Sequence, residues 1–221
     1  MATRPVFVPK RSKTSFVLEA PVDFDWSAGL SVAQKQKSIL ALHQAAQKRF
    51  PIHAPLEVSS KSTNPLGVAL SAFNLSLRLS DGAEVSVESA FQSSKSFELG
   101  GPYVELLRAS AKDAKRDPRL RDSGRLTSFV FEGQEWPLRP LTAFYDWLYL
   151  QALAQHPELA AQLVAHDAFT DIEFNPERSL NCQARSCALY VSLYREGLLD
   201  QALKDRKGYL DLLVANVAKR L

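Results

Sequence analysis

Glu88, Gln92 and Lys95 are the residues whose types and spacing could carry out chemistry. If residues 86–97 form a helix, a rotation of about 100° per residue places the three within roughly 60° of one another. The other side of that helix carries the residues expected to face a core, namely Val87, Ala90, Phe91, Ser94 and Phe97. One carboxylate, one amide and one amine on a single stripe predict the wall of a binding site. The alternative interpretation of a Glu and a Lys at this spacing is a solvated polar face.

Composition indicates an ordinary globular protein. The chain has 221 residues, of which 46% are hydrophobic and 23% charged, and one domain of this size can bury a large core. The net charge of +3 is too balanced to argue nucleic-acid binding from bulk electrostatics, although a local basic patch is compatible with it. No apolar run approaches the roughly 18 residues of a transmembrane helix, and the first residues lack the apolar segment of a signal peptide. We therefore expect no membrane partner.

The two cysteines, Cys182 and Cys187, are separated by four residues. This spacing fits neither a zinc pair nor a thioredoxin-like pair, so we expect free thiols in a reducing cytoplasm. The four histidines are scattered, and the sequence therefore suggests neither a metal site nor a cofactor.

Periodicity and turn residues predict an α+β fold, a mostly helical single domain with a small β-sheet. Residues 1–25 are predicted to be an edge strand or N-terminal extended arm, because their alternating apolar positions are broken by prolines. A helix is predicted from its N-cap Ser31 to Arg49, with a buried stripe of Val32, Ile39, Leu42 and Ala46. Strands are predicted over residues 56–62, 68–79, 129–136 and 169–174, with a hairpin turn at Asp81–Gly82. Further helices are predicted over 102–107, 141–155, 157–166, 183–196 and 198–221.

A basic run and an acidic pair are the other chemical features. The basic side chains between residues 111 and 125 are Lys112, Lys115, Arg116, Arg119, Arg121 and Arg125. Such a run is usually a solvated surface, and the alternative is a phosphate-binding surface. Asp171 and Glu173, two residues apart on a predicted strand, would share one of its faces.

The order of these features resembles the NADAR/YbiA-like family. Its core pattern is Leu-Ser-Asn-Phe, a strand, and a Glu-His-x-x-Gln-x-x-Lys helix. This chain has Leu70-Ser71-Ala72-Phe73-Asn74, a predicted hairpin, and Glu88-Ser89-Ala90-Phe91-Gln92-Ser93-Ser94-Lys95. Ala111-Lys112-Asp113-Ala114-Lys115 resembles the family's Ala-Lys segment, and Asp171-Ile172-Glu173 its later acidic strand. The resemblance implies that residues 26–221 are a NADAR-like catalytic domain.

Several segments resemble the branch of that family associated with DarT-type toxins, which ADP-ribosylate guanine in DNA. They are residues 31–39, 143–149, 167–176 and 181–184. The chain departs from the broader family in two places. Ala72 replaces an Asn, and the usual Trp-Gly after the acidic strand is replaced by Asn181-Cys182-Gln183-Ala184-Arg185. Both departures fit the toxin-linked branch better than the riboflavin-pathway branch.

The resemblance implies an N-glycosidic hydrolase that removes ADP-ribose from guanine in DNA and acts as the antitoxin to a DarT-like toxin. Glu88 is the expected carboxylate that orients water or the ribose hydroxyls and balances positive charge at the anomeric carbon. Lys95 has two possible roles. It could clamp a phosphate electrostatically, or its neutral amine could attack the anomeric carbon and form an imine that water resolves. Glu173 would be a second acid near the ribose.

The expected substrate contacts are Ser71, Phe73, Asn74, Gln92, Lys112, Lys115, Asp171, Asn181, Gln183 and Arg185. For five of them the residues leave alternatives open. Phe73 either stacks on a base or belongs to the core. Asp171 and Glu173 are either a support and a second acid near the ribose, or a solvent-facing side of the predicted strand.

Asn181, Gln183 and Arg185 either contact the substrate or cap the following helix. Cys182 is not expected to be a nucleophile, because no histidine lies in a suggestive pattern with it. The expected partners are ADP-ribosylated DNA, ADP-ribose as product and a DarT-like toxin.

Two other functions are compatible with the sequence. One is a YbiA-like N-glycosidase acting on riboflavin-pathway intermediates. The other is a non-catalytic antitoxin that neutralises a toxin by binding it.

Overall fold

A computed structural model of the protein describes residues 1–10 and 15–218. The chain divides into two compact units. The first unit comprises Met1–Ser71 and Pro157–Leu221, and the second unit comprises Ala72–His156. Both combine helices with small sheets, which confirms the predicted α+β class.

The strands are β1 (Ala2–Pro9), β2 (Val17–Phe24), β3 (Pro55–Glu57), β4 (Ser76–Arg78), β5 (Glu84–Ser86), β6 (Lys95–Phe97), β7 (Leu126–Phe131), β8 (Gln134–Trp136) and β9 (Ala168–Thr170). The helices are α1 (Val32–Arg49), α2 (Pro65–Ala69), α3 (Val87–Ser93), α4 (Ala111–Arg116), α5 (Arg119–Asp122), α6 (Ala143–Ala154), α7 (Pro157–Leu163), α8 (Gln183–Arg195), α9 (Leu199–Lys204) and α10 (Arg206–Ala218), with a 3₁₀ helix at Val104–Arg108.

A four-stranded sheet in the order β2-β1-β9-β3 organises the first unit. Strands β1 and β2 pair antiparallel along their whole length, and β3 pairs parallel with β9. Strands β1 and β2 thus both fall within the stretch predicted as an edge strand or extended arm, and β2 is at the edge of the sheet. The proposed domain boundary after residue 25 stays a prediction.

Helix α1 packs on this sheet much as the sequence predicted. Its N-cap is Ser31, whose hydroxyl accepts a hydrogen bond from the Gln34 N–H. Ile39, Leu42 and Ala46 are buried in a cluster with apolar side chains of β1 and β2. The prediction for Val32 is wrong, because this first helical residue is 50% exposed.

The stretch predicted as strand over residues 68–79 is strand only at β4. Before it, Asn64 caps the short helix α2 by accepting from the Leu66 N–H, and Pro65 takes the first helical position, where its missing N–H costs nothing. The predicted turn at Asp81–Gly82 is confirmed between the antiparallel strands β4 and β5. Gly82 in this turn has a φ of +83°, a backbone conformation that residues other than glycine rarely adopt.

The second unit is built on the antiparallel sheet β6-β7-β8 and on helix α6. The predicted hairpin of β7 and β8 is confirmed. The aromatic core of this unit consists of Phe91, Phe129, Phe144 and Trp136, and the ring centroids of Phe129 and Phe144 are 4.8 Å apart.

The C-terminal region is helical, as predicted. Gly197 separates α8 from α9 with a φ of +67°, and α10 follows α9 after Asp205. The predicted helix end at residues 219–221 lies outside the described residues. Within the part of the chain that the structure describes, no helix combines the length and apolarity needed to cross a membrane.

Candidate functional site

Helix α3 is shorter than the sequence suggested. Predicted over residues 86–97, it ends at Ser93, and Lys95 begins strand β6. The hydroxyls of Ser93 and Ser94 donate to the Ala90 carbonyl at 3.0 and 2.6 Å, so the last turn is satisfied by side chains and the backbone is released to pair with β7. The single helical stripe is therefore wrong for Lys95. It holds for Glu88 and Gln92, one turn apart.

Glu88 is a buried carboxylate, with 5% of its surface exposed. The solvated-face interpretation is therefore wrong for this residue. Its backbone N–H donates to the Ala72 carbonyl at 2.9 Å, and position 72 thereby fixes the start of α3 through its backbone. Glu88 Oε1 accepts from Gln92 Nε2 at 2.8 Å and lies 3.5 Å from Lys115 Nζ.

Gln92 presents an unused acceptor. The residue is 6% exposed, and its Oε1 is buried without a hydrogen-bond partner among the described residues. An unsatisfied buried amide oxygen costs about 1–3 kcal/mol relative to a paired one. A ligand hydroxyl or N–H placed here would recover that energy. Gln92 is thus suited both to hold Glu88 and to accept from a bound molecule.

Lys95 is placed by the sheet and by an aromatic ring. It pairs with Phe129 across β6 and β7, and its Nζ lies 4.7 Å from the centroid of the Phe91 ring. Behind it, Gly101 has a φ of +82°, and a Cβ there would come within 2.4 Å of the Lys95 carbonyl oxygen. Only glycine fits this close approach without displacing the strand.

The pKa of Lys95 is lowered from 10.5 to about 8. Burial is the largest cause, and the like charge of Lys115 adds to it, while the carboxylate of Glu88 opposes both. Among the described residues, Glu88 forms its ion pair with Lys115 and not with Lys95. Lys95 therefore keeps a lowered pKa beside a carboxylate that would otherwise hold it protonated.

Lys115 and Phe73 complete this arrangement. Lys115 is about half exposed, and its Nζ lies 5.0 Å over the Phe73 ring as well as 3.5 Å from Glu88. Phe73 is 37% exposed, so its interpretation as a core residue is wrong. We call Phe73, Glu88, Gln92, Lys95 and Lys115 the carboxylate–lysine cluster. It lies entirely within the second unit.

Three other predicted contacts come from nearby segments of the chain. Ser71, the last residue before the second unit, is buried, and its N–H donates to the Val68 carbonyl at 3.1 Å. Asn74 is exposed and directly follows Phe73. Lys112 is exposed on α4, one turn before Lys115.

In the first unit, the acidic segment (residues 171–173) does not continue strand β9. The strand ends at Thr170, and the Phe174 N–H closes a turn on the Asp171 carbonyl at 3.1 Å. The predicted strand over residues 169–174 is therefore wrong beyond Thr170, although Ile172 and Phe174 are still buried. Asp171 Oδ1 accepts from the Glu173 N–H at 3.0 Å. Glu173 is 46% exposed and lies 3.8 Å from Lys35 Nζ.

None of Asn181, Gln183 and Arg185 is the N-cap of α8. That position is Cys182, which makes no capping hydrogen bond with its side chain. Gln183 Nε2 donates instead to the Val58 carbonyl at 2.6 Å and to Asp171 Oδ2 at 3.1 Å. Gln183 thus tethers the acidic segment, while Arg185 is half-buried one turn into the helix.

Both cysteines are free and buried. Burial raises the pKa of the Cys182 thiol well above its ordinary value, with the Asp171 carboxylate adding to the effect. A buried thiol of this kind is a poor nucleophile, in agreement with the sequence.

Sequence reasoning missed Glu57, a fully buried carboxyl at the end of β3. It accepts from the Thr170 hydroxyl at 2.6 Å, the Ser59 hydroxyl at 2.7 Å and the Ile172 N–H at 2.8 Å. Burial nevertheless raises its pKa. Glu57 therefore holds the backbone of the acidic segment from beneath. A carboxylate between the apolar Leu56 and Val58 was the available clue.

His43 joins this network, with Nε2 2.8 Å from the Thr170 hydroxyl. Burial, together with the nearby His166, lowers the pKa of His43 to about 4, so its ring is neutral at neutral pH. Across the described residues, no group of histidine, cysteine, aspartate and glutamate side chains is arranged to hold a metal ion.

Comparison with known proteins identifies one family. A model described as the DarT1-associated NADAR antitoxins matches residues 2–220, which is nearly the whole chain. No curated protein matches the sequence significantly.

Proposed function

The chain belongs to the DarT1-associated NADAR antitoxin family, and we propose that it hydrolyses the N-glycosidic bond between ADP-ribose and guanine in DNA. The observation that carries this proposal is the carboxylate–lysine cluster. A buried carboxylate lies beside an amine whose pKa is about 8, and the two are not paired with each other. An antitoxin with this activity would act by removing the toxin's product.

Glu88 would stabilise the positive charge that develops on the ribose as the glycosidic bond lengthens. Its burial strengthens that interaction, because little water screens it. The hydrogen bond from Gln92 fixes the orientation of the carboxylate, and Gln92 Oε1 remains available to a ribose hydroxyl. The same carboxylate could orient the water that completes the reaction.

Lys95 is the proposed nucleophile. Its neutral amine attacks the anomeric carbon, a C–N bond to Lys95 forms, and the C–N bond to guanine breaks with a proton passing to the base. The ribose ring then opens to give an imine. Water adds to the imine carbon and releases ADP-ribose and the free amine. The lowered pKa supports this role over that of an electrostatic clamp, which needs a permanent charge.

Lys115 is suited to grip the pyrophosphate. It is half exposed and can leave Glu88 for a stronger anion, whereas Lys95 is only partly exposed. Its departure would uncover the Phe73 ring, which then offers a face for a base to stack on. Both steps are part of the proposal.

The catalytic and substrate-binding roles of residues in the first unit are unchanged from the sequence analysis. Glu173 as a second acid, and Ser71, Asp171, Asn181, Gln183 and Arg185 as substrate contacts, remain predictions from the resemblance. The role of Asn74, in the second unit, as a substrate contact is likewise a prediction from the resemblance.

Release of ADP-ribose from a guanine-modified oligonucleotide tests the proposal. We expect turnover by the wild type and at least a roughly 100-fold loss in Glu88→Gln and Lys95→Ala. The control is Glu19→Gln, which neutralises an exposed carboxylate on β2 and should leave turnover unchanged. Borohydride added during turnover should trap ADP-ribose covalently on the wild type and not on Lys95→Ala.

Three results would contradict the proposal. Absence of turnover by folded wild-type protein would exclude the hydrolase. Turnover of riboflavin-pathway intermediates, with none on modified DNA, would assign the site to that chemistry. Protection from the toxin that survives in Glu88→Gln would indicate neutralisation by binding.

A further inference from the structure

Residues 108–125 of the second unit carry a concentration of positive charge. Seven basic side chains stand against three acidic ones, Asp113, Asp117 and Asp122. Four of the basic residues are in ion pairs, which are Arg108 with Asp81, Lys115 with Glu88, Arg119 with Asp117, and Arg125 with Glu98. The other three, Lys112, Arg116 and Arg121, are exposed and form no ion pair with any described residue.

Two of these cations, Lys112 and Arg116, lie on the same helix as Lys115 of the carboxylate–lysine cluster. On α4, Lys112, Lys115 and Arg116 occupy positions i, i+3 and i+4 and so share one side of the helix. Ala114 on the other side is completely buried, which fixes that orientation. The acidic residue within α4, Asp113, accepts from the Ser110 hydroxyl at 2.6 Å. Arg121 lies five residues after Arg116 along the chain, on the short helix α5.

We propose that Lys112, Arg116 and Arg121 form a docking surface for the phosphate backbone of the DNA strand that carries the adduct. This inference rests on the proposed function, since it concerns the same substrate. Lys115 belongs both to the cluster and to the basic side of α4, so a guanine adduct held at the cluster brings the flanking phosphates beside that helix. Lys112 is thereby assigned to the DNA rather than to ADP-ribose.

Exposed lysines and arginines that meet phosphates release counterions, so their contribution depends steeply on salt. Each phosphate contact on a single strand contributes a slope of about −0.7 in log K against log salt. Three contacts therefore give a slope of about −2, or a roughly 20-fold loss between 50 and 200 mM salt. A free guanosine adduct has no flanking phosphates and should lack this part of the salt dependence, keeping only the part that comes from its own pyrophosphate.

The test compares two substrates, a single-stranded oligonucleotide with one ADP-ribosylated guanine and the ADP-ribosylated nucleoside. The variant is Lys112→Gln, Arg116→Gln and Arg121→Gln combined. The matched control is Lys37→Gln, Lys48→Gln and Lys204→Gln, which removes the same charge from exposed positions of the first unit. Binding of unmodified single-stranded DNA, followed by fluorescence anisotropy, gives a second readout that needs no catalysis.

We expect the docking variant to lose about 10- to 20-fold in kcat/KM on the oligonucleotide at 50 mM salt and most of its salt dependence. Turnover of the nucleoside should be unchanged, and the control should match the wild type on both substrates. Equal losses in the docking variant and the control would overturn the proposal, as would equal losses on the two substrates.

The two proposals can fail separately. If the wild type releases ADP-ribose from neither substrate, the proposed function fails, and anisotropy still decides whether the surface binds DNA. If the wild type cleaves both substrates and the docking variant behaves like the control, the docking surface fails and the hydrolase stands. Binding of an acidic peptide at the same affinity as DNA would also overturn the assignment to DNA.

Discussion

The rate of ADP-ribose release should follow the deprotonation of Lys95. If the neutral amine is the nucleophile, kcat/KM rises with pH and reaches a plateau above the pKa of this residue in the free enzyme. The structure sets that pKa at about 8, because burial and the charge of Lys115 outweigh the attraction of Glu88. The rate should rise and not fall with increasing pH, because protonation of the amine removes the attacking lone pair.

The size of the effect follows from the fraction of neutral amine. With a pKa of about 8, roughly 3% of Lys95 is neutral at pH 6.5 and roughly three quarters at pH 8.5, a rise of about 25-fold. With the ordinary value of 10.5, the rise over the same interval would be about 100-fold and would continue about tenfold per unit to pH 10. The plateau above pH 8.5 therefore distinguishes the two cases.

Two variants sharpen this test. Lys115→Gln removes a like charge that lowers the pKa of Lys95, so the midpoint of the profile should move above 8. Lys95→Arg keeps a positive charge at this position but cannot deprotonate, and it should lose about 10³-fold or more.

The assay is initial-rate release of ADP-ribose from the modified nucleoside between pH 5.5 and 10, at constant ionic strength. Substantial activity in Lys95→Arg would show that the charge and not the amine matters, and would assign Lys95 to a phosphate clamp. A rate that is independent of pH across this range would refute the reasoning from the lowered pKa.

Other predictions concern single side chains. Gln92→Leu should lower kcat/KM about 10- to 100-fold, because the hydrogen bond to Glu88 and the acceptor Oε1 are both lost; unchanged turnover would show that neither acts in the reaction. Phe73→Ala should raise KM by about 5- to 150-fold, since base stacking contributes roughly 1–3 kcal/mol, and Phe73→Tyr should restore it. Because the folded pKa of Glu57 lies above its ordinary 4.5, the wild type should lose stability as the pH rises from 4.5 through that folded pKa. The free energy of unfolding of the wild type, measured with urea at pH 5 and pH 8, should fall relative to that of Glu57→Gln. The fall should be about 1.4 kcal/mol for each pH unit between pH 5 and the folded pKa of Glu57. A constant difference would contradict the raised pKa.

The sequence predicted the elements that depend on local rules. The N-cap at Ser31, the turn at Asp81–Gly82 and the hairpin of β7 and β8 were all confirmed, because capping and turn residues act over a few positions. It failed where long-range pairing overrides propensity. Residues 95–97 continue a helical pattern by spacing, yet they pair with β7 as a strand, and only the partner strand decides this.

The candidate site shows the same division. The motif predicted Glu88 and Gln92 as neighbours, and their hydrogen bond confirms it. The pairing of Glu88 with Lys115 joins residues 27 positions apart, and the pKa of Lys95 depends on burial; neither can be read from spacing. Glu57 was missed for the related reason that its three donors come from two separate segments.

The division of labour between the two lysines follows from their exposure. Lys95 and Lys115 both lie near one carboxylate, and its single negative charge cannot balance two positive charges at once. Partial burial lowers the pKa of Lys95, whereas water solvates the charge of the half-exposed Lys115. Glu88 therefore pairs with the more exposed lysine and leaves Lys95 with a pKa of about 8. If an arriving pyrophosphate draws Lys115 away, Glu88 becomes free to balance the charge that develops on the ribose, so binding of the anion would prepare the carboxylate for the step that follows.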